Sequence, residues 1–268
     1  MGHFATRERA LALGGILVLC ALAWTYLVVQ ASGMASMASM TSMSEVGGMD
    51  APWAFTEWGY LCVMWSVMMV AMMLPSLAPT ILLVARLDEV RRSKQEPAPG
   101  ATRRRVTPAF VAGYLVAWAA YSIVAATVQW GLHGTLVVSD AMVSVSPILS
   151  GALLVAAGAF QFTPLKDLCI THCRSPLSFL TGHWREGIGG ALRMGFHHGS
   201  YCVGCCWALM GLLFVLGVMN LIWITGLAVL VLLEKTLPAG RWVTWSAGAA
   251  LLGWGFFVLL EPASRFFS

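Results

Sequence analysis

Metal-ligand chemistry is concentrated in His197-His198-Gly199-Ser200-Tyr201-Cys202-Val203-Gly204-Cys205-Cys206-Trp207. Two imidazoles and three thiols fall within ten residues at the head of a long apolar run. Imidazole and thiolate are the side chains that hold Cu(I) and zinc. A single membrane Cys is more often a small buried hydrophobe. Five ligand-type residues so close together, with Gly195 and Gly199 permitting close backbone approach, point instead to a metal site formed by His197, His198, Cys202, Cys205 and Cys206.

A second group lies upstream in Cys169-Ile170-Thr171-His172-Cys173. On a helix, positions i, i+3 and i+4 share a face, so Cys169, His172 and Cys173 could serve one ion. Lys166 and Arg174 nearby would favour thiolate over thiol. The plain alternative is a short interfacial helix whose thiols face lipid.

Thioethers form the third group. Met34, Met37, Met40 and Met43 repeat every three residues among Ala, Ser and Thr. This low-complexity stretch reads as a flexible segment. There it could capture Cu(I) outside the cytoplasm, where thioethers persist and thiols risk oxidation; a drifted Ala/Ser/Met linker is the alternative. Met64, Met68 and Met72 fall at i, i+4 and i+8, a stripe on one helix face with Met69 and Met73 beside it. Met is also an adaptable core filler, so the stripe has a structural reading too. Pro75 and Pro79 are expected to kink or break that helix.

These ligands need elements to hold them. The 268 residues are 59% hydrophobic and 10% charged, against about 25% charged residues in a typical soluble domain. The expected architecture is therefore an all-α polytopic transmembrane bundle of about seven spans, forming a single integral membrane domain over 1–268. Spans are expected near 10–30, 58–83, 106–128, 145–162, from about 191, up to 234–235, and 242–260. A Met-rich extracytoplasmic loop covers 31–57, a basic cytoplasmic loop 86–105 and a Cys/His cytoplasmic loop 164–190. His133 and Asp140 fall in a short loop between the third and fourth spans.

With the N-terminus cytoplasmic, this arrangement puts fifteen of the sixteen basic residues inside and leaves only Arg265 outside. Thioethers then lie outside and within the bilayer, and thiols with imidazoles lie inside. That is a rising order of ligand strength for Cu(I). The expected location is the bacterial inner membrane, multi-pass. The seven Cys do not read as a disulfide framework. No basic-aromatic pattern suggests nucleic acid, and neither a phosphate-binding glycine loop nor G-x-S-x-G appears.

Longer motifs carry a family likeness: Met64-Trp65 through Met72-Met73-Leu74-Pro75-Ser76 and Pro79, then Gln161-Phe162-Thr163-Pro164-Leu165-Lys166. It continues through Cys169 to Pro176, Trp184-Arg185, and His198-Gly199 through Cys206-Trp207. Gly217-Val218-Met219-Asn220-Leu221 and Glu234-Lys235 to Pro238 complete it. In these the chain resembles a family of predicted metal-binding integral membrane proteins, a domain of unknown function also called PpoB2-like. The resemblance implies metal binding and no established reaction. The Met-rich segment falls outside that pattern and is similar to the methionine motifs of Ctr-type copper importers, by analogy alone.

The leading expectation is a copper-handling membrane protein that takes up Cu(I) or delivers it to a cuproenzyme or a copper chaperone, with zinc as the alternative ion. Its other partners are the lipid bilayer and the metal ion itself. Handling is expected rather than catalysis. A membrane thiol–disulfide oxidoreductase competes, because Cys202 and Cys205 make a C-x-x-C and Cys205-Cys206 are vicinal. The third reading is a structural or assembly subunit of a membrane complex with inert buried Cys.

Overall fold

The computed structural model describes residues 2–41, 55–92, 106–133, 147–238 and 240–260. Among the described residues it is all-helical, as expected from the long apolar runs: α1 (Gly2–Thr41), α2 (Phe55–Arg92), α3 (Val106–His133), α4 (Pro147–Phe160), α5 (Pro164–Arg174), α6 (Pro176–His183), α7 (Gly187–Gly211), α8 (Leu213–Leu216), α9 (Leu221–Thr236) and α10 (Gly240–Leu260). Five segments are long and apolar enough to cross a membrane: Leu13–Gly33, Phe55–Arg91, Val106–Leu132, Gly187–Leu216 and Gly240–Leu260. Large apolar side chains on them, among them Leu17, Leu22, Val63, Val124 and Phe257, face outward.

The two remaining expected spans are shorter or bent. The one near 145–162 passes into α5 at a 63° bend, so that α4 and α5 together make a sixth candidate crossing. The bend is written locally. Thr163 caps α5 by accepting from the Lys166 amide, and Pro164 occupies the first turn, where no backbone donor is needed. The other is α9, with 16 residues, started by Asn220 accepting from the Ile222 and Trp223 amides. Before it, Gly217 turns the chain with φ +91°, a conformation L side chains rarely adopt.

Three expectations change here. The segment Gly33–Thr41 is not a loop: α1 runs on through Met34, Met37 and Met40, whose side chains are not among those described, while Met43 lies outside the described residues. After Gly33 the segment holds only Met, Ala, Ser and Thr, with no further Gly and no Pro to stop a helix already started. Residues 164–183 of the Cys/His loop are the two helices α5 and α6. Pro75 and Pro79 do not break α2, which continues through both to Arg92; a buried neighbour-packed helix tolerates Pro in this way. The first part of the basic loop, 86–92, therefore belongs to α2, and 93–105 lie outside the described residues. So does Asp140, and His133 closes α3.

Packing concentrates on α2, α3 and α7. Helices α3 and α7 cross closely because Gly113 and Gly195 leave each backbone room: a Cβ at Gly113 would strike the Leu192 carbonyl, and one at Gly195 the Phe110 carbonyl. Small residues repeat the device between α4 and α10, where Gly158 faces the Gly248 carbonyl and Gly255 faces Val155. The core fills with Trp65, Phe110, Tyr114, Trp118 and the methionines of α2.

Candidate functional site

The buried face of α7 carries Met194, His198, Cys202 and Cys206 at four-residue steps, with Cys205 beside them. Cys202 is the centre. Its Sγ lies 3.0 Å from Tyr114 Oη of α3 and receives a hydrogen bond from Lys235 Nζ of α9 at 2.9 Å. The Lys235 ammonium also donates to Ser76 Oγ of α2 at 3.3 Å. Three helices thus meet at one sulfur, and α2 joins them through the Lys235 ammonium. A cation beside a sulfur is the setting in which thiols act as nucleophiles and soft-metal ligands.

The other thiols gather here. Cys206 and Cys205 donate to the Cys202 carbonyl at 2.7 and 3.1 Å, and their sulfurs are 3.5 Å apart. Cys173 of α5 interacts with both Cys202 and Cys205. Cys169, one turn earlier on α5, packs its sulfur over Gly204, where a Cβ would come within 2.9 Å of it. So Cys169 and Cys173 join the α7 thiols, and the two sequence groups meet through their cysteines.

The imidazoles divide. His198 is 3% exposed, and its Nδ1 has no hydrogen-bond partner among the described residues. It sits one turn before Cys202, among Phe110, Tyr114 and Phe179. A buried orphan nitrogen is costly, and this one lies one turn from a thiol. His172 does not complete the Cys169/Cys173 face; it stacks on Tyr201 at 4.2 Å and bonds the Leu168 carbonyl through Nδ1. His197 is exposed and turned away toward His183.

The methionine stripe is buried, with Met64, Met68 and Met72 on the inner face of α2. One more four-residue step reaches Ser76, the residue that Lys235 touches. The stripe therefore ends beside the thiol cluster.

Three basic residues depart from expectation. Lys166 does not approach the cysteines of its own helix. It is 0% exposed and donates to both oxygens of Glu234 at 3.1 and 2.9 Å, and to Gln161 Oε1. Arg174 reaches the Leu237 and Pro238 carbonyls rather than a thiol. Lys235 is turned inward and is not part of a solvated loop. Lys166 and Cys173 share a face of α5, so the Lys166–Glu234 pair ties α5 to α9 with its thiols turned toward α7.

Sequence reasoning missed Tyr114, Ser76 and Lys235 as parts of this centre. For Lys235 and Glu234 a signal existed: adjacent charges closing an apolar run are expensive at membrane depth and mark function more often than chance. Nothing flanking Tyr114 distinguishes it from other buried aromatics.

Among the described residues, no three His, Cys, Asp or Glu side chains already converge as a metal-holding group. Two of the α7 thiols instead donate to a backbone carbonyl.

A family model described as PpoB2, copper chaperone, matches residues 62–258, and the chain belongs to that family. The match runs from within α2 into α10 and so takes in every residue of the centre and the methionine stripe. No curated protein and no solved structure matches.

Proposed function

We propose that this member of the PpoB2 copper chaperone family carries Cu(I) within the membrane on the thiols gathered about Cys202, and delivers it to a cuproenzyme. One observation carries the reading: Cys173, Cys202, Cys205 and Cys206 come together from two helices around a sulfur that an ammonium already holds. Thiolates select Cu(I), and His198 Nδ1 offers one further ligand without breaking an existing bond.

Met64, Met68 and Met72 supply a thioether route that ends at Ser76, and Met34, Met37, Met40 and Met43 supply capture at its far end. Cys169 extends the thiol set on the α5 side. The N-terminus faces the cytoplasm of a bacterial inner membrane in this reading. Its support is the basic residues Arg7, Arg9, those of 86–105, Arg174, Arg185 and Arg193, since Lys166 and Lys235 are internal. No ATP-binding motif accompanies the site, so transfer runs down the gradient of affinity from thioether to thiol to acceptor.

The test is an anaerobic Cu(I) titration of detergent-purified protein against a competing chromophoric chelator. Wild type takes up about one Cu(I) per chain; Cys202→Ser/Cys205→Ser/Cys206→Ser, still folded, takes up none.

The 3.5 Å separation of the Cys205 and Cys206 sulfurs favours a second reading, thiol–disulfide exchange. It predicts that either single Cys→Ser change abolishes exchange with a model disulfide while bound copper is unchanged.

A further inference from the structure

We propose that His183 and His197 form a second metal site, built from imidazole alone and open to water, which takes an ion such as Cu(II). This site stands independently of the thiol reading. His183 ends α6 and His197 lies on α7, and residues 184–186 alone separate the two helices. Gly187, at φ +79°, starts α7 in a conformation only glycine adopts readily, which fixes how the second helix leaves the first.

The ring centroids of His183 and His197 are 5.4 Å apart, with the planes at 71°. Two imidazoles binding a shared ion at about 2 Å place their centroids about 4.5 Å apart at the 90° angle of a tetragonal Cu(II) site and about 5 Å apart at a tetrahedral angle, so the observed pair reaches either by a small rotation of the exposed rings. The tautomer of His183 is fixed. A carbonyl can only accept, so the 3.1 Å contact between Nδ1 and the Phe179 oxygen puts the proton on Nδ1 and the lone pair on Nε2. This backbone tether is the arrangement that orients metal-binding histidines generally. Phe179 also stacks on the ring at 5.0 Å and 18°, holding it in place.

His197 has no hydrogen-bond partner among the described residues, and both rings are exposed. An ion therefore reaches His183 Nε2 and the His197 ring nitrogens without displacing a protein hydrogen bond. His172 is not a third ligand, because Tyr201 stacks on it at 4.2 Å and lies 5.1 Å from His197, between the two. Imidazole without thiolate suits borderline divalent ions, Cu(II) foremost among the common ones.

The probe is Cu(II), titrated into full-length protein in detergent after Ag(I) has filled the thiols, all in a His3→Ala background. Electron paramagnetic resonance should then show about one Cu(II) per chain with nitrogen superhyperfine coupling. His183→Ala and His197→Ala should each weaken Cu(II) binding tenfold or more, with Ag(I) stoichiometry unchanged; His172→Ala should leave both unchanged. Loss of Ag(I) binding beside retained Cu(II) binding would count against the thiol centre alone. Wild-type protein that binds no Cu(II), Cu(II) binding indifferent to both His changes, or equal loss in His172→Ala would overturn the assignment.

Discussion

Lys235 Nζ lies 2.9 Å from Cys202 Sγ, so the last turn of α9 closes over the middle of α7. The adjacent Glu234 reaches the other way, to Lys166 on α5. Two consecutive residues thus connect the thiol centre to the helix that brings Cys173 to it. The Lys235 ammonium donates to the Cys202 sulfur and the Ser76 hydroxyl, and the Glu234 carboxylate is paired with the Lys166 ammonium.

Lys235→Met should leave the fold intact and weaken Cu(I) binding about tenfold, equivalent to about 1.4 kcal/mol. Lys235→Arg keeps the charge but not the compact ammonium geometry, and should lie between the two. Competition titration against a chelator measures both. Unchanged affinity in Lys235→Met would show that the ammonium serves packing only.

Lys166→Met or Glu234→Leu alone strands a buried charge and should cost about 3–5 kcal/mol. The double variant removes both charges and should recover much of that loss. Thermal unfolding in detergent distinguishes these cases. A double variant as unstable as either single one would mean the two residues do not act as a pair.

Gly113→Val should separate α3 from α7, because even a Cβ there meets the Leu192 carbonyl. Overpacking of this kind costs about 1–3 kcal/mol. It should also move Tyr114 away from Cys202, one residue along the same interface. Lower melting temperature together with weaker Cu(I) binding is the expected pair of readouts.

Met64→Leu/Met68→Leu/Met72→Leu conserves volume and apolarity, so each change should cost less than about 1.5 kcal/mol. What it removes is the thioether. Copper delivery to a cuproenzyme in cells should fall at low external copper, with protein level and melting temperature near wild type. Full delivery in the triple variant would assign the stripe to the core.

The bundle was legible because apolar run length is set by the membrane, and each of the seven expected segments has a helix in it. The 63° bend was also written locally, in Thr163 and Pro164, although those residues read equally as the end of a span. The helix through Met34 to Met40 was not legible as such, because a Met/Ala/Ser repeat matches a linker as well as a continued helix. For the site, ligand types were legible and partnerships were not. Spacing placed Cys169, His172 and Cys173 on one face, and that face does pack on α7; there the two thiols meet Gly204, Cys202 and Cys205, while the imidazole is taken up by stacking on Tyr201. Lys235 read as a topology signal because a Lys after an apolar run usually is one. Only the position of α9 against α2 and α7 shows it pointing inward.

The central claim is that the thiols around Cys202 hold copper. X-ray absorption at the copper edge on anaerobically loaded protein tests it most directly. The expected spectrum is Cu(I) in a sulfur-dominated shell, lost in Cys202→Ser/Cys205→Ser/Cys206→Ser. A loaded wild type whose copper shows only nitrogen and oxygen neighbours, or one indifferent to those three changes, would contradict it.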